Sequence, residues 1–239
     1  RQLYEESLHV QFYLTLLDNY IPDHKERELA FSAVQNIPSI KKKAQFCFKW
    51  MDSINKLDKV QTKEDQRKFL MNLACFSSCI EGLFFFAAFA YVYFLRSKGL
   101  LTGLATGTNW VFRDESMHIQ FANEVIETAR KEDPSLFNDQ MNEMIVQMIE
   151  EAIECEMAFA EDILHMGIAG LSLKDMRQYL EFVADQRLEA LHIAPRFNTK
   201  NPFPFMELQD MQELANFFER RVSAYQIGVS GSVSFDETF

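Results

Sequence analysis

The chain has 239 residues, which is enough for one large domain with a substantial hydrophobic core. Hydrophobic residues make up 48% of the sequence, whereas Gly and Pro number only 8 and 6, a balance that favours long helices over a turn-rich β-architecture. The formal net charge of −11 argues against a nucleic-acid-binding surface, which requires clustered Lys and Arg.

The hydrophobic periodicity is helical almost throughout, and strand-like alternation is almost absent. Pro22 ends the first predicted helix, Pro38 separates the next two, and Gly99 ends the longest one. In chain order, helices are predicted over residues 2–20, 24–36, 40–57, 62–97, 109–131, 134–166, 172–194 and 207–220. The expected fold is therefore an all-α bundle.

The composition changes near residue 201, where the rigid, non-helical sequence NPFPF begins. Beyond Tyr225 the chain is rich in Ser and Gly and ends in an acidic, aromatic sequence. We therefore expect a helical domain over residues 1–200 and a C-terminal extension with a flexible tail over residues 201–239. Such a tail is either a docking peptide or plain disorder.

Residues 76–95 form an apolar run of about 20 residues, long enough to cross a bilayer. Glu81 lies inside this run, and no second run of this kind is present in the sequence. A central helix buried by other helices explains the run better than a membrane span. The expectation is a core helix and no membrane association.

The chain contains four cysteines and no C-x-x-C pair. Nothing in their spacing predicts a disulfide framework, and reduced thiols are typical of a cytoplasmic protein. The chain opens directly on an amphipathic segment and not on a signal peptide. We expect a cytoplasmic location.

Two Glu-x-x-His pairs, Glu6 with His9 and Glu115 with His118, are the most informative feature of the sequence. Residues three apart lie on one face of a helix, so each pair can direct a carboxylate and an imidazole at one point. Helical bundles with carboxylate-bridged dimetal sites combine two such pairs with single carboxylates from two other helices. Glu81, isolated among apolar residues, is a candidate for one of those carboxylates. This donor set suits iron or manganese.

Each pattern also has an ordinary explanation, because Glu and His are common helix residues. One Glu-x-x-His pair alone is more often a surface Glu with a structural His. A third pair, Glu189 with His192, lies at a helix end before Pro195. We interpret this pair as a surface Glu and a structural His, and not as part of a metal site. A Glu buried without a partner is costly, which favours a site for the set that includes Glu81.

Further residues lie near the predicted site by helical spacing. Tyr13 follows His9 by one turn and is either a radical-forming tyrosine or a core aromatic residue. Phe85 and Phe89 continue the face of Glu81 and would shield a radical from water. Asp114 directly precedes Glu115 and is a candidate for orienting a ligand histidine.

These residues resemble the radical-generating small subunit of class I ribonucleotide reductase, with its ferritin-like dimetal-carboxylate fold. The resemblance covers nearly the whole chain and is closest to the eukaryotic type. The matching motifs are E-x-x-H-x-x-x-Y at 6–13, KKKA at 41–44, EG-x-FF at 81–85, RDE-x-x-H at 113–118, YLEFVAD at 179–185, NPF-x-F at 201–205 and NFFE-x-RV-x-x-Y at 216–225.

The resemblance implies an enzyme subunit that stores a radical oxidant and passes it to a large catalytic subunit, which reduces ribonucleotides to deoxyribonucleotides. It implies a homodimer and two iron ions, with dimanganese and mixed manganese–iron pairs as alternatives. The residues it implies are the metal ligands Glu6, His9, Glu81, Glu115 and His118, the radical residue Tyr13 with its pocket Phe85 and Phe89, the radical-transfer residues Asp114 and Tyr225, and the docking residues Asp236, Glu237 and Phe239.

The family pattern also has an Asp ligand and a Trp upstream of the first Glu-x-x-His, and neither is in this sequence. We therefore expect the chain to be part of a longer protein and its ligand set to lack one member. Two other functions stay open: a ferritin-like oxidase that acts on its own substrate, and a non-enzymatic metal-binding bundle. The aromatic tail and Tyr225 argue against the oxidase, because a self-contained oxidase needs neither. A non-enzymatic bundle would leave Tyr13, Asp114 and Tyr225 without a role.

Overall fold

The computed structural model describes residues 1–51, 60–165 and 167–206, and in these ranges the protein is all-helical, as predicted. Within them no strand forms, and a single β-bridge pairs Ile168 with Leu171. The α-helices are α1 (Gln2–Tyr20), α2 (His24–Phe31), α3 (Ala33–Asn36), α4 (Pro38–Met51), α5 (Lys63–Ala74), α6 (Phe85–Ser97), α7 (Thr102–Glu132), α8 (Asp139–Leu164) and α9 (Leu173–Ala190).

A π-helical segment, Cys75–Phe84, joins α5 to α6, so that Lys63–Ser97 is one continuous helix. Thr62 begins it with a capping box, in which its hydroxyl accepts from the Asp65 backbone N–H and the Asp65 carboxylate accepts in return. Gly99 ends it at φ +75°, the left-handed conformation that glycine adopts without strain.

This helix is the centre of the bundle. Its π-helical segment contacts α4, α7, α8 and α9, and the residues along it are among the most buried in the protein. By length and composition the helix is apolar enough to span a membrane, but 67% of its most apolar 18-residue stretch is buried inside the protein. The run around Glu81 is therefore a core helix, as predicted.

Several predicted helix boundaries were wrong. The helix expected from residue 109 begins at Thr102, because the Gly residues at 103 and 107 do not break it. At Gly107 a Cβ atom would lie 2.4 Å from the Phe12 ring of α1, so this glycine permits close helix packing. The helix expected over residues 24–36 is interrupted at Ser32, whose hydroxyl donates to the Glu28 carbonyl.

The remaining helix boundaries differ less from the predicted ones. Pro38 is the first residue of α4, where its missing N–H is harmless. The helix predicted over residues 134–166 begins with a 3₁₀ turn before α8 and ends at Leu164, and the one predicted to residue 194 ends at Ala190. Residues 52–57 and the helix predicted over residues 207–220 lie outside the described residues.

The segment after α9 packs on the bundle through buried residues. Asp185 of α9 accepts hydrogen bonds from the backbone N–H groups of Arg196, Phe197 and Asn198, at 2.6 Å, 3.0 Å and 2.6 Å. Further along, the buried Phe203 ring contacts Tyr179, with 5.2 Å between ring centroids. A single carboxylate thus fixes the turn that directs this segment back onto the core.

Candidate metal centre

Three elements of the bundle carry the residues of the predicted site. Helix α1 presents Glu6 and His9, α7 presents Glu115 and His118, and the π-helical segment presents Glu81. All of these side chains face the same interior region, where α1 packs against α7. The two Glu-x-x-His pairs, more than 100 positions apart in sequence, therefore meet in the fold as predicted.

The π-helical backbone around Glu81 is held from the opposite side by α9. The Arg187 Nε atom donates to the Gly82 carbonyl at 3.0 Å, and its guanidinium lies 4.5 Å from the Phe86 ring centroid. A Cβ atom at position 82 would lie 2.5 Å from the Ser77 carbonyl oxygen, so a glycine is required there. π-helical turns inside α-helices are frequent at functional sites.

The side chains form a compact cluster. Ligand atoms of Glu6, Glu81, Glu115 and His118 all lie within 4.8 Å of one another. The Nδ1 atom of His118 is 3.2 Å from Glu115 and 3.3 Å from both Glu6 and Glu81. The Nδ1 atom of His9 lies 3.2 Å from Glu115 Oε1 and 3.7 Å from Glu6 Oε2.

Four polar atoms of this cluster are buried without a well-formed hydrogen bond among the described residues: Glu6 Oε1, His9 Nδ1, Glu81 Oε2 and Glu115 Oε1. Two of them, His9 Nδ1 and Glu115 Oε1, lie 3.2 Å apart. Buried polar atoms are nearly always paired, and each unpaired one is costly. These are oxygen and imidazole nitrogen donors, the types that bind iron and manganese. The residues present therefore fit a metal centre.

The cluster also has raised carboxyl pKa values. Burial raises the pKa of Glu81 to about 8, and the Glu6 carboxylate contributes. Burial raises the pKa of Glu115 to about 9, with further contributions from Glu81 and Glu6. Both shifts have the same physical cause, which is negative charge concentrated in a poorly solvated region. A bound cation would remove this penalty.

The outer nitrogens of both histidines bind other carboxylates. His9 Nε2 lies 3.2 Å from Asp114 Oδ2, and the other Asp114 oxygen accepts from Arg113 Nη2 at 2.8 Å. His118 Nε2 lies 3.1 Å from Glu5 Oε2, and Glu5 Oε1 accepts from Arg1 Nε at 2.7 Å. Each imidazole is thus fixed between the cluster and an outer carboxylate that is itself bound to an arginine.

Sequence reasoning found Asp114 but missed Glu5. The signal was present, because the motifs Glu5-Glu6-Ser7-Leu8-His9 and Asp114-Glu115-Ser116-Met117-His118 both carry an acidic residue directly before the first candidate ligand. Gln2 was also missed: its Nε2 atom donates to Glu81 Oε1 at 3.1 Å. Its position one turn before Glu6 places it on the same helix face.

Tyr13 is half-buried beside the cluster. Burial raises the pKa of its phenol to about 12, with contributions from the Glu115 and Glu6 carboxylates. The Phe85 and Phe89 rings stack with 6.1 Å between centroids, and Phe89 continues into a buried aromatic cluster. Tyr13 is therefore a neutral phenol at physiological pH, beside the carboxyl groups of the cluster.

The other predicted features lie elsewhere. His192 of the third Glu-x-x-His pair is exposed, and its Nε2 atom lies 2.9 Å from Glu127 Oε2 of α7. All four cysteines are free thiols, as expected. Tyr225 and the predicted docking residues lie outside the described residues.

Comparisons with known proteins identify the family of the chain. The family model "Ribonucleotide reductase, small chain" matches residues 1–202. A ribonucleoside-diphosphate reductase small chain of Arabidopsis thaliana is 34% identical over 99% of this chain and 66% of its own length. Subunit M2 of Danio rerio is 34% identical over 100% of this chain and 57% of its own length. The chain thus spans less than two thirds of the length of these curated relatives.

Solved structures give the same result for the fold. The ribonucleotide reductase R2 subunit from Clostridium botulinum superposes with a TM-score of 0.77 at 21% identity, over 89% of this chain and 64% of that one. The Rnr4 homodimer from Saccharomyces cerevisiae superposes with a TM-score of 0.69 at 26% identity, over 88% of this chain and 62% of that one. With the family match over residues 1–202, the chain belongs to the ribonucleotide reductase small-chain family.

Proposed function

We propose that this chain is the radical-generating part of a ribonucleoside-diphosphate reductase small subunit. The observation that carries this proposal is the compact cluster of buried carboxylate and imidazole ligand atoms between α1, α7 and the π-helical segment. A plain structural core has no use for three carboxylates with unsatisfied oxygens at one point. Family membership supports the same function.

In this proposal Glu6, Glu81 and Glu115 are carboxylate ligands, and His9 and His118 bind through their Nδ1 atoms. A pair of iron ions, or of manganese ions, would supply the one-electron oxidising chemistry when bound. Iron is the metal that we propose first, because Tyr13 is present. The carboxylates balance the positive charge of the metals, and the unpartnered oxygens give each of them freedom to bind one ion or to bridge two.

Tyr13 is the proposed site of the stored radical. Because the pKa of its phenol is about 12, the group is protonated before oxidation, and loss of an electron is accompanied by loss of the hydroxyl proton. Phe85 and Phe89 are the proposed apolar pocket. Asp114, bound to His9, is a proposed member of the route by which the radical is transferred to the large subunit.

The remaining roles follow from the family. Tyr225 is the proposed relay in the C-terminal segment, and Asp236, Glu237 and Phe239 are the proposed docking residues for the large catalytic subunit. We also propose a homodimer in the cytoplasm, and the yeast relative described as a homodimer supports that assembly. The domain division at residue 200 is part of the same proposal.

Electron paramagnetic resonance tests the central claim. The protein is loaded with Fe²⁺ under argon and exposed to air, and an organic doublet is expected that is absent in Tyr13→Phe. A metal-centred signal that Tyr13→Phe leaves unchanged would contradict the role of Tyr13. Failure to bind Fe²⁺ at all would contradict the metal centre.

Truncation tests the proposed C-terminal roles separately. Removal of residues 222–239 is expected to abolish ribonucleotide reduction with a class I large subunit while Fe²⁺ oxidation at the site continues. Full turnover by the truncated protein would rule out both the Tyr225 relay and the docking tail.

A further inference from the structure

The two Glu-x-x-His motifs exchange their outer carboxylates between helices. Helix α1 carries His9, and its outer nitrogen is bound by Asp114 of α7. Helix α7 carries His118, and its outer nitrogen is bound by Glu5 of α1. In each motif the acidic residue immediately before the candidate ligand Glu serves the histidine of the other motif.

The two arrangements match in detail. The outer nitrogens lie 3.2 Å and 3.1 Å from their carboxylates. The second oxygen of each carboxylate is bound by an arginine, Arg113 for Asp114 and Arg1 for Glu5. The side chains are similarly buried, with 9% of Asp114 and 12% of Glu5 exposed. Both oxygens of both carboxylates are thus used.

We propose that Glu5 is a positioning residue that binds the outer nitrogen of His118 and directs the inner nitrogen at the metal, as Asp114 does for His9. This inference rests on the proposed metal centre and extends it to a residue outside the ligand set. Glu5 touches no metal in this scheme. It acts only through His118.

The physical basis is the tautomer of the imidazole. A neutral histidine has one N–H donor and one acceptor nitrogen, and the partner of one nitrogen decides the role of the other. When Nε2 donates to the Glu5 carboxylate, the Nδ1 lone pair faces Glu6, Glu81 and Glu115. A carboxylate at the outer nitrogen also increases the basicity of the ligand nitrogen.

The geometry of Glu5 is itself fixed by α1. Arg1 lies one helical turn before Glu5 and donates to the oxygen that His118 does not use. Loss of an outer partner of this kind typically weakens metal binding by about 10- to 100-fold. We therefore expect Glu5 substitutions to change the metal site although no ligand is removed.

Co²⁺ is a suitable probe, because this paramagnetic ion shifts the N–H proton signals of bound imidazoles away from all others in the NMR spectrum. The protein loaded with Co²⁺ is expected to show two slowly exchanging imidazole N–H signals, from His9 and His118. Asp114→Ala should remove the first and thereby assign it. Glu5→Met, close to Glu in length but without the carboxylate, should remove the second and weaken Co²⁺ binding by about 10- to 100-fold.

Glu5→Gln is the conservative variant, because its amide oxygen still accepts a hydrogen bond. It should retain the His118 signal and recover most of the Co²⁺ affinity. Asp18→Asn is the matched control, because Asp18 is a carboxylate on the same helix that does not contact the cluster. It forms an ion pair with Arg27, with 2.7 Å between Oδ1 and Nη1. It should leave both signals and the affinity unchanged.

Two results would overturn the inference: both N–H signals persisting in Glu5→Met, whatever its affinity, or Glu5→Gln losing the signal as completely as Glu5→Met does. Absence of Co²⁺ binding and of both signals in the unaltered protein is a different failure. It would overturn the proposed metal centre, and this inference with it.

Discussion

The bundle buries carboxylates in two contrasting regions. At the candidate metal centre, Glu81 and Glu115 are 1% and 0% exposed, and the groups against them include the His9 and His118 imidazoles but no lysine or arginine among the described residues. Between α4 and α8, Glu156 is equally buried at 1% exposure, but it forms an ion pair with Lys43. The Lys43 Nζ atom also lies 4.0 Å from the centroid of the Phe159 ring.

The difference appears in the carboxyl pKa values. Burial raises the pKa of Glu156 to about 7, and Lys43 opposes this shift. The pKa of Glu115, which has no lysine or arginine partner among the described residues, rises to about 9. One region contains its own lysine, whereas the other has no lysine or arginine against its buried carboxyl groups among the described residues. A buried carboxylate with a built-in cation is structural, and a cluster without one requires a cation from solution.

The largest expected effect comes from removing the built-in cation. Lys43→Met leaves Glu156 buried without a positive partner and should lower the free energy of unfolding by about 3–5 kcal/mol at pH 8. Urea denaturation of the metal-free protein measures this. Lys49→Met is the control, because Lys49 joins the same two helices through an exposed pair with Glu151 at 2.6 Å. Its loss should be below about 1 kcal/mol, and equal losses would refute the contrast.

The next effect is on pH dependence. Because the pKa of Glu156 rises from 4.5 to about 7 on folding, the folded state binds a proton more tightly than the unfolded state. The resulting stabilisation is complete below pH 4.5 and is lost as the pH rises through 7. At about 1.4 kcal/mol per pKa unit, the difference in unfolding free energy between the unaltered protein and Glu156→Gln should change by about 3 kcal/mol.

Parallel urea titrations of the two proteins at pH 4.5 and pH 8 measure this difference, with the unaltered protein relatively more stable at the acid end. Titration of other groups cancels in the comparison. Equal pH dependence in both proteins would show that Glu156 is ionised throughout.

Metal binding should distinguish the cluster from the ion pair. A free Mn²⁺ concentration of about 100 times its dissociation constant should raise the unfolding free energy by about 2.7 kcal/mol. Glu115→Gln should abolish this gain by removing an unpartnered ligand oxygen. Glu156→Gln should retain it. Calorimetry with and without Mn²⁺ tests both, and a gain that persists in Glu115→Gln would contradict the proposed centre.

The smallest effect concerns another buried carboxylate, Asp185, which accepts hydrogen bonds from backbone N–H groups. Asp185→Asn replaces one acceptor oxygen by an amide nitrogen that cannot accept, and about 1–2 kcal/mol of stability should be lost. The loss should not depend on Mn²⁺. Thermal unfolding measures it, and a metal-dependent loss would mean that this turn and the metal centre are coupled.

The sequence predicted which side chains lie together in the fold where local spacing decides. Glu-x-x-His places two ligands on one face of any helix, and Glu81 was conspicuous among apolar neighbours. Glu156 was not predicted, because α8 carries many acidic residues and spacing alone did not single out the buried one. The exchange of Glu5 and Asp114 between helices was also missed. It depends on how α1 and α7 are aligned, which no local pattern encodes.

Dependence on contacts between helices also explains the wrong prediction for the start of α7. Glycine at 103 and 107 normally predicts a break, but here Gly107 allows the Phe12 ring to pack against the helix. The π-helical segment was likewise predicted only as helix, since its hydrophobic pattern continues through α5 and α6. Such features are set by tertiary contacts.

Helix α1 is attached to the bundle chiefly through α7, and apolar residues on its outer side are exposed, with Leu3 at 88% and Val10 at 58%. An element with so little buried surface is the first to open in local unfolding. A cation bound by Glu6 and Glu115 together would cross-link two points more than 100 residues apart in the chain, which restricts the open states much as a disulfide does. In hydrogen exchange, occupancy of the site would therefore appear as slower exchange of the α1 amides, so that the stability of this helix records whether the metal is present.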